Sequence, residues 1–335
     1  MAEDRDTRRL VPPTPRLTSA QAAEPIRVLS LTGGGYRGLF TAQVLVDLCD
    51  LASRQGPLQK AFDVFAGTSI GGLMACALAV GVAPRRVLDA IDAHGPAVFE
   101  KKRNSTLRRV LFGSLYDADN LAKAVDAALG PTAKLRLKDL HTGLLVPAVD
   151  WASGATELFQ SAAFGKAHAS DATLRDVCLA TSAAPTYFKP HQINGAAMLD
   201  GGLAANNPDA VALLEVARRW PSRLGHVQML SIGTAGTAPQ RAPHQADKSG
   251  ARWAPTLPVF MMTVQEQTAA AQAQRVLGNR YLRINHIAPE GSQAFERLDL
   301  ADSPTRQALL DAGTRAARQA YEAHRAFVDR ILSRI

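Results

Sequence analysis

A chain of 335 residues, 47% of them hydrophobic, carries enough apolar material for a sizeable core in one large α/β unit or about two domains. Its 38 lysines and arginines against 30 acidic residues leave a formal charge of +8. That charge favours an anionic partner such as a membrane surface, a nucleotide or a nucleic acid, although a solvated basic surface carries it equally well. Three cysteines, Cys49, Cys76 and Cys178, lie in apolar helical patterns without a Cys-x-x-Cys pair. This argues against a disulfide framework and a zinc site and fits buried thiols in a reducing cytoplasm.

In chain order, Met1 to Glu24 is charged and proline-bearing with no apolar centre. It is no secretory signal, and a disordered arm is expected over residues 1–24, ahead of a single domain over 25–335. Ile26 to Leu31 reads as a buried strand running into a glycine-rich loop, Thr32 to Gly38, and then a helix through Leu48. Phe62 to Ala66 is a second buried strand. It ends in Gly67-Thr68-Ser69-Ile70-Gly71-Gly72, and an apolar helix follows to Val80. No residue between Asp63 and Arg85 is charged, which meets the length rule for a membrane span. Four glycines interrupt it and its first part is β-prone, so a buried strand followed by a buried helix is expected instead.

Pro84 opens another helix, and Lys101, Lys102, Arg103, Arg108 and Arg109 form a basic cluster suited to anionic headgroups, an anionic activator or plain solvation. A helix is expected from Asp117 to Leu129, short strands over Leu144–Val149 and Thr156–Phe159, and a helix over Thr173–Ala183. Gln192 to Leu199 is β-prone and leads into Asp200-Gly201-Gly202, and Asn206-Asn207-Pro208 opens a helix to Trp220. Val227–Thr234 is a further buried strand and Thr237–Gly250 a polar loop. A helix, a strand over Tyr281–Ile287 and a long amphipathic helix from about Ser303 complete the chain. Strands alternating with helices, without repeats or a long linker, imply an α/β three-layer sandwich with a central, largely parallel sheet.

Two glycine-bearing turns carry the chemistry. Gly33-x-Gly35-x-x-Gly38 between strand and helix fits a dinucleotide fingerprint, or an oxyanion hole in which backbone N–H groups converge at a helix start. The first reading wants an acidic residue at the end of the second strand. That strand ends instead in Gly67-x-Ser69-x-Gly71, which presents a serine on a strand-to-helix turn. If the two strands are neighbours, nucleophile and anion cradle share the carboxyl edge of the sheet. Asp200, followed by Gly201 and Gly202, offers a carboxylate to take the serine proton. His286 is the best-placed histidine, but it lacks a glycine or acidic neighbour and reads as structural.

The Gly-Gly-Gly-x-Arg-Gly loop, the Gly-x-Ser-x-Gly elbow and the Asp-Gly-Gly turn, in this order, resemble the patatin-like phospholipases. The resemblance runs from about Ile26 into the C-terminal helix and extends to Ala180–Phe188 and Asp299–Pro304. It implies a patatin-like fold with Ser69 as nucleophile and Asp200 as its partner in a dyad without histidine. Gly33, Gly34, Gly35, Arg37 and Gly38 fall on the oxyanion loop, and Gly67, Gly71, Gly201 and Gly202 shape the two turns. Thr32 departs from the aspartate that many relatives place before the glycines. Within bacteria, Leu29 to Ala42 resembles the effector phospholipases of CBASS anti-phage systems, in which a cyclic dinucleotide made on infection switches on degradation of the cell's own membrane.

The expectation that follows is a serine acyl hydrolase acting on membrane glycerophospholipids from the cytoplasm, at the inner face of the cell membrane. Its activator would be a cyclic dinucleotide such as cGAMP. No other cofactor, no metal and no nucleic-acid partner is expected, and a homo-oligomer stays open. A generic serine esterase and a nucleotide-binding sensor remain the alternatives. No motif in the sequence marks a cyclic-nucleotide pocket.

Overall fold

The computed structural model describes residues 24–100, 114–165, 170–237 and 257–333. The expected N-terminal arm (apart from Glu24), the basic cluster from Lys101 to Arg109 and the polar loop beyond Thr237 lie outside the described residues.

Strand β1 (Ile26–Leu31) alternates its side chains between two cores. Leu29 and Leu31 face one layer, and Ile26 and Val28 the other. The uncharged stretch after Asp63 is strand β2 (Val64–Gly67) and helix α2 (Ile70–Ala79), buried almost throughout. Helices α1 (Gly38–Leu51), α2, α3 (Pro84–Val98) and α4 (Ala118–Leu129) cover the Leu29 face. Pro84 occupies the first turn of α3, and Asp117 caps α4 by accepting the Asp119 amide, each supplying what a helix start lacks.

Strand β3 (Gly143–Asp150) is followed by β4 (Thr156–Gln160), helix α5 (Leu174–Thr181) and a hairpin of β5 (His191–Ile193) and β6 (Ala196–Asp200). The β-prone stretch from Gln192 thus folds back on itself as two strands. Asn194 and Gly195 both take positive φ, 51° and 83°, the geometry of a tight hairpin turn. Next come helix α6 (Gly202–Ala205), helix α7 (Asp209–Arg219), strand β7 (Val227–Ile232), a short β8 (Gly236–Thr237) and helix α8 (Leu257–Leu277). Residues of α7 and α8 pack on the Val28 face, so helices sandwich the sheet.

Strand β9 (Tyr281–Ile284) closes one edge of the sheet, and β10 (Ile287–Ala288) pairs separately with β8. The expected Tyr281–Ile287 strand breaks at Asn285, whose side chain accepts the Ala235 amide and holds a kink where Ala235 has φ 61°. Helices α9 (Gln293–Glu296) and α10 (Ser303–Leu332) end the chain, and α10 packs along α1. Among the described residues no helix is long and apolar enough to cross a membrane.

The main sheet runs β5-β6-β3-β2-β1-β7-β9, with β4 also on β3. The pairs β1–β2, β1–β7, β2–β3 and β7–β9 are parallel. Strand β3 decides the position of the site. Leu145 pairs with both Ala66 of β2 and Gln160 of β4, and Ala148 pairs with both Asp200 of β6 and Glu157 of β4. Since a strand has only two edges, β2 and β6 share the edge opposite β4. They run towards each other and stop with a short gap between them. Pro147 lies at that gap, where its missing N–H removes no ladder bond; its carbonyl accepts instead from Thr181 Oγ1 at 2.6 Å.

Candidate active site

Ser69 and Asp200 lie at the two ends of this gap, and Ser69 Oγ donates a 2.8 Å hydrogen bond to Asp200 Oδ2. Ser69 sits between β2 and α2 with φ 54° and ψ −122°, a backbone state that L-residues adopt only where the surroundings enforce it. The enforcement is visible. Helix α2 crosses so close to β1 that a Cβ on Gly71 would lie 2.3 Å from the Leu31 carbonyl oxygen. The Ser69 amide donates to Thr181 Oγ1 at 3.0 Å, and Thr68 Oγ1 donates to the Ala205 carbonyl at 2.6 Å. The positive end of the α2 dipole faces the elbow.

Asp200 is held as firmly. Its amide donates to Ala183 O at 3.0 Å, the Gly201 amide donates to Thr181 O at 3.2 Å, and Asp200 Oδ1 accepts the Gly202 amide at 2.7 Å. Burial pushes the Asp200 carboxyl up to about 6, against the opposing pull of the Gly202 and Ser69 hydrogen bonds. A buried carboxylate with no cation against it binds a proton more readily than one in water.

The glycine loop lies beside this pair because β1 and β2 are neighbours in parallel register. Its residues divide by function. The Gly33 amide donates to Asn206 O at 2.9 Å, and the Gly33 carbonyl accepts from Thr234 Oγ1 at 3.1 Å. Gly38 donates back into the preceding turn and the Arg37 amide donates to Gly34 O. The Arg37 guanidinium points away to the Phe295 carbonyl at 2.6 Å and is buried, which lowers its pKa. Gly34 and Gly35 remain. Their amides donate no hydrogen bond among the described residues, and both line the same cavity as Ser69 and Asp200. Gly35 has φ 59°, and the next amide, Tyr36, donates to Leu298 O.

That cavity measures about 430 Å³ and is walled mainly by apolar side chains, including Leu73, Ile91, Phe99, Leu121 and Phe188. It suits a ligand with a long hydrocarbon portion and one polar reacting centre. His286 is not among its lining residues. Its ring packs on Phe295 at 5.2 Å and burial lowers its pKa. Thr32 donates its amide to Ile232 O and accepts on Oγ1 from Arg283 at 3.4 Å. It thus belongs to the support of the loop and not to the cavity.

Thr181, Asn206 and Thr234 hold the elbow and loop, and motif reading assigned them no role. Thr181 lies inside the Ala180–Phe188 stretch noted in the sequence. Asn206 opens the helical pattern that follows the Asp-Gly-Gly turn, so both had a positional signal without a chemical one.

Residues 29–213 match the Patatin family model, described as patatin-like phospholipase. With that match over more than half of the chain, this protein belongs to the patatin-like phospholipases and is a lipid acyl hydrolase. Within that class it is similar to the cGAMP-activated phospholipase of Vibrio cholerae, 30% identical over 91% of this chain and 94% of that one. It is also similar to proteins of the same description from Escherichia coli (31%, covering 87% of this chain and 88% of that) and Pseudomonas aeruginosa (31%, covering 88% of each).

Proposed function

We propose that the protein releases fatty acids from membrane glycerophospholipids through a covalent acyl-enzyme on Ser69, with Asp200 as the only base. The observation that carries this reading is the 2.8 Å Ser69 Oγ to Asp200 Oδ2 hydrogen bond, at the wall of an apolar cavity and beside two unengaged amides.

Ser69 Oγ attacks the ester carbonyl carbon and its proton passes to Asp200 Oδ2. The negative charge that develops on the carbonyl oxygen is taken by the Gly34 and Gly35 amides. One such donor typically contributes about 2.7–4 kcal/mol to the barrier, which offsets the weakness of a carboxylate as a base. Collapse expels the lysolipid alkoxide, which recovers the proton from Asp200. Water then gives a proton to the same carboxylate as it attacks the acyl-enzyme, Asp200 returns that proton to the departing Ser69 Oγ, and fatty acid leaves. The raised carboxyl pKa narrows the gap between base and hydroxyl.

Control by a cyclic dinucleotide comes from the similarity to cGAMP-activated phospholipases at about 30% identity. In this reading the protein is an anti-phage effector that acts from the cytoplasm on the inner face of the cell membrane. The test is fatty-acid release from mixed liposomes, with and without a panel of cyclic dinucleotides, beside hydrolysis of soluble short-chain esters. Release that rises with cGAMP and vanishes in Ser69→Ala supports it. Full activity in Ser69→Ala, or no labelling of Ser69 by a fluorophosphonate, overturns the covalent mechanism. Preference for soluble esters makes the protein a generic esterase.

A further inference from the structure

Helix α8 has two unlike halves. Its C-terminal half packs against the body of the protein through Ala269, Ala273 and Leu277, one residue per turn on a single stripe. Its N-terminal half, Leu257 to Gln265, contains no charged residue and no buried one. Leu257, Val259, Met261 and Val264, with Leu203 just beyond the Asp200 turn, are each between 38% and 52% exposed. Apolar side chains placed all round a surface helix, beyond any stripe that the core needs, mark a surface that another apolar phase covers.

The same half-helix borders the cavity. Pro258, Val259 and Met262 line it together with Leu203, Ser69 and Asp200, and Gln265 Nε2 fastens α8 to the Leu203 carbonyl at 2.9 Å. One turn of helix therefore faces the reacting pair on one side and the outside on the other. An acyl chain travelling from a bilayer to Ser69 past this rim stays among apolar side chains. A second copy of this chain seated here would stand against the rim of the cavity, whereas a bilayer both covers the face and supplies the substrate. The formal charge of +8 favours anionic lipid.

We propose that the N-terminal half of α8 and Leu203 form the face by which this protein seats on a phospholipid bilayer, the helix lying in the headgroup region with Met261 and Val264 directed into it. This rests on the phospholipase reading given above, and the experiment keeps the two apart. Met261 and Val264 are not cavity-lining residues, so replacing them leaves the reacting groups in place.

The double variant Met261→Glu/Val264→Glu and the single variant Val264→Trp are compared with the unaltered protein, with and without cGAMP. Binding is measured by co-sedimentation with phosphatidylethanolamine–phosphatidylglycerol vesicles, and activity on a soluble short-chain ester. The expected result is at least a tenfold loss of vesicle binding in the double variant at unchanged soluble-ester turnover, and tighter binding in Val264→Trp. Unchanged soluble-ester turnover and no pelleting without vesicles separate that gain from misfolding. Equal vesicle binding by all three proteins, or none by the unaltered protein, overturns the proposal. So does a change confined to self-association in sedimentation velocity, which would make the covering partner a second copy. An unaltered protein that binds vesicles through this face but releases no fatty acid from them refutes the phospholipase reading alone.

Discussion

Thr181 Oγ1 accepts the amide of Ser69 at 3.0 Å while donating its own proton to Pro147 O at 2.6 Å. One hydroxyl thus fastens the strained elbow to the strand behind it. Thr181→Val keeps the shape but leaves a buried amide and a buried carbonyl without that partner, a change of about 1–3 kcal/mol. We expect urea unfolding to show that loss, and kcat to fall with little change in KM, because Thr181 does not line the cavity. Thr181→Ser should restore most of both.

The backbone of Ser69, at φ 54°, makes the position costly for any side chain. Ser69→Ala should abolish fatty-acid release and keep the fold. Ser69→Gly should be equally inactive but more stable than Ser69→Ala by roughly 1 kcal/mol, because glycine adopts positive φ freely. Thermal unfolding of the two variants side by side makes the comparison. Equal stability would mean that the elbow stores no strain.

Asp200 gives a pH dependence with a definite sign. Its carboxyl is raised to about 6 in the folded chain from an ordinary value of 3.8, so the folded state holds the proton more tightly than the unfolded one. The stability linked to that proton is complete below about pH 4 and is lost as pH rises through about 6. At pH 8 the ionised, buried carboxylate then costs about 3 kcal/mol. Asp200→Asn should unfold at higher urea than the parent at pH 8 and at nearly the same urea near pH 4. Catalysis runs the other way, since the base must be ionised. kcat/KM should rise with pH along a limb centred near 6, and Asp200→Asn should lose nearly all activity.

The cavity wall predicts chain-length selection. Ala124 of α4 lines the cavity and is only half-buried, so a larger residue there shortens the space without overfilling the core. Each methylene of fit is worth about 1–3 kcal/mol of discrimination in an apolar pocket. Ala124→Leu should raise the ratio of eight-carbon to sixteen-carbon ester turnover by about tenfold or more. Competition between the two esters in mixed micelles reads that ratio directly.

Much of this candidate site was legible because Ser69, the glycine loop and Asp200 sit in short turns whose residue types are dictated locally. The elbow, the glycine loop and the Asp-Gly-Gly turn each announce a backbone shape. Their meeting follows once parallel strands are assumed, and the register of β1 with β2 supplies it. What the sequence hid depends on contacts across distant segments. The glycine loop looked like one uniform cradle, yet Gly33 is occupied by Asn206 and Arg37 turns its guanidinium to Phe295, leaving two amides open to the cavity. The division of Tyr281–Ile287 escaped for the same reason. Its cause is a hydrogen bond from Ala235 to Asn285, invisible in a run of β-prone residues.

The convergence of β2 and β6 on one edge of β3 has an evolutionary reading. Ala66, on the strand that leads into Ser69, pairs with Leu145, and Asp200 pairs with Ala148, so the distance between the serine and the carboxylate is counted out along another strand's backbone. Residue types along that strand can drift while both partners stay in reach. A single insertion between those positions would part the pair by ~3.3 Å and turn the following side chains to the opposite face. The length of this segment, which does not line the cavity, therefore sets the spacing of the pair.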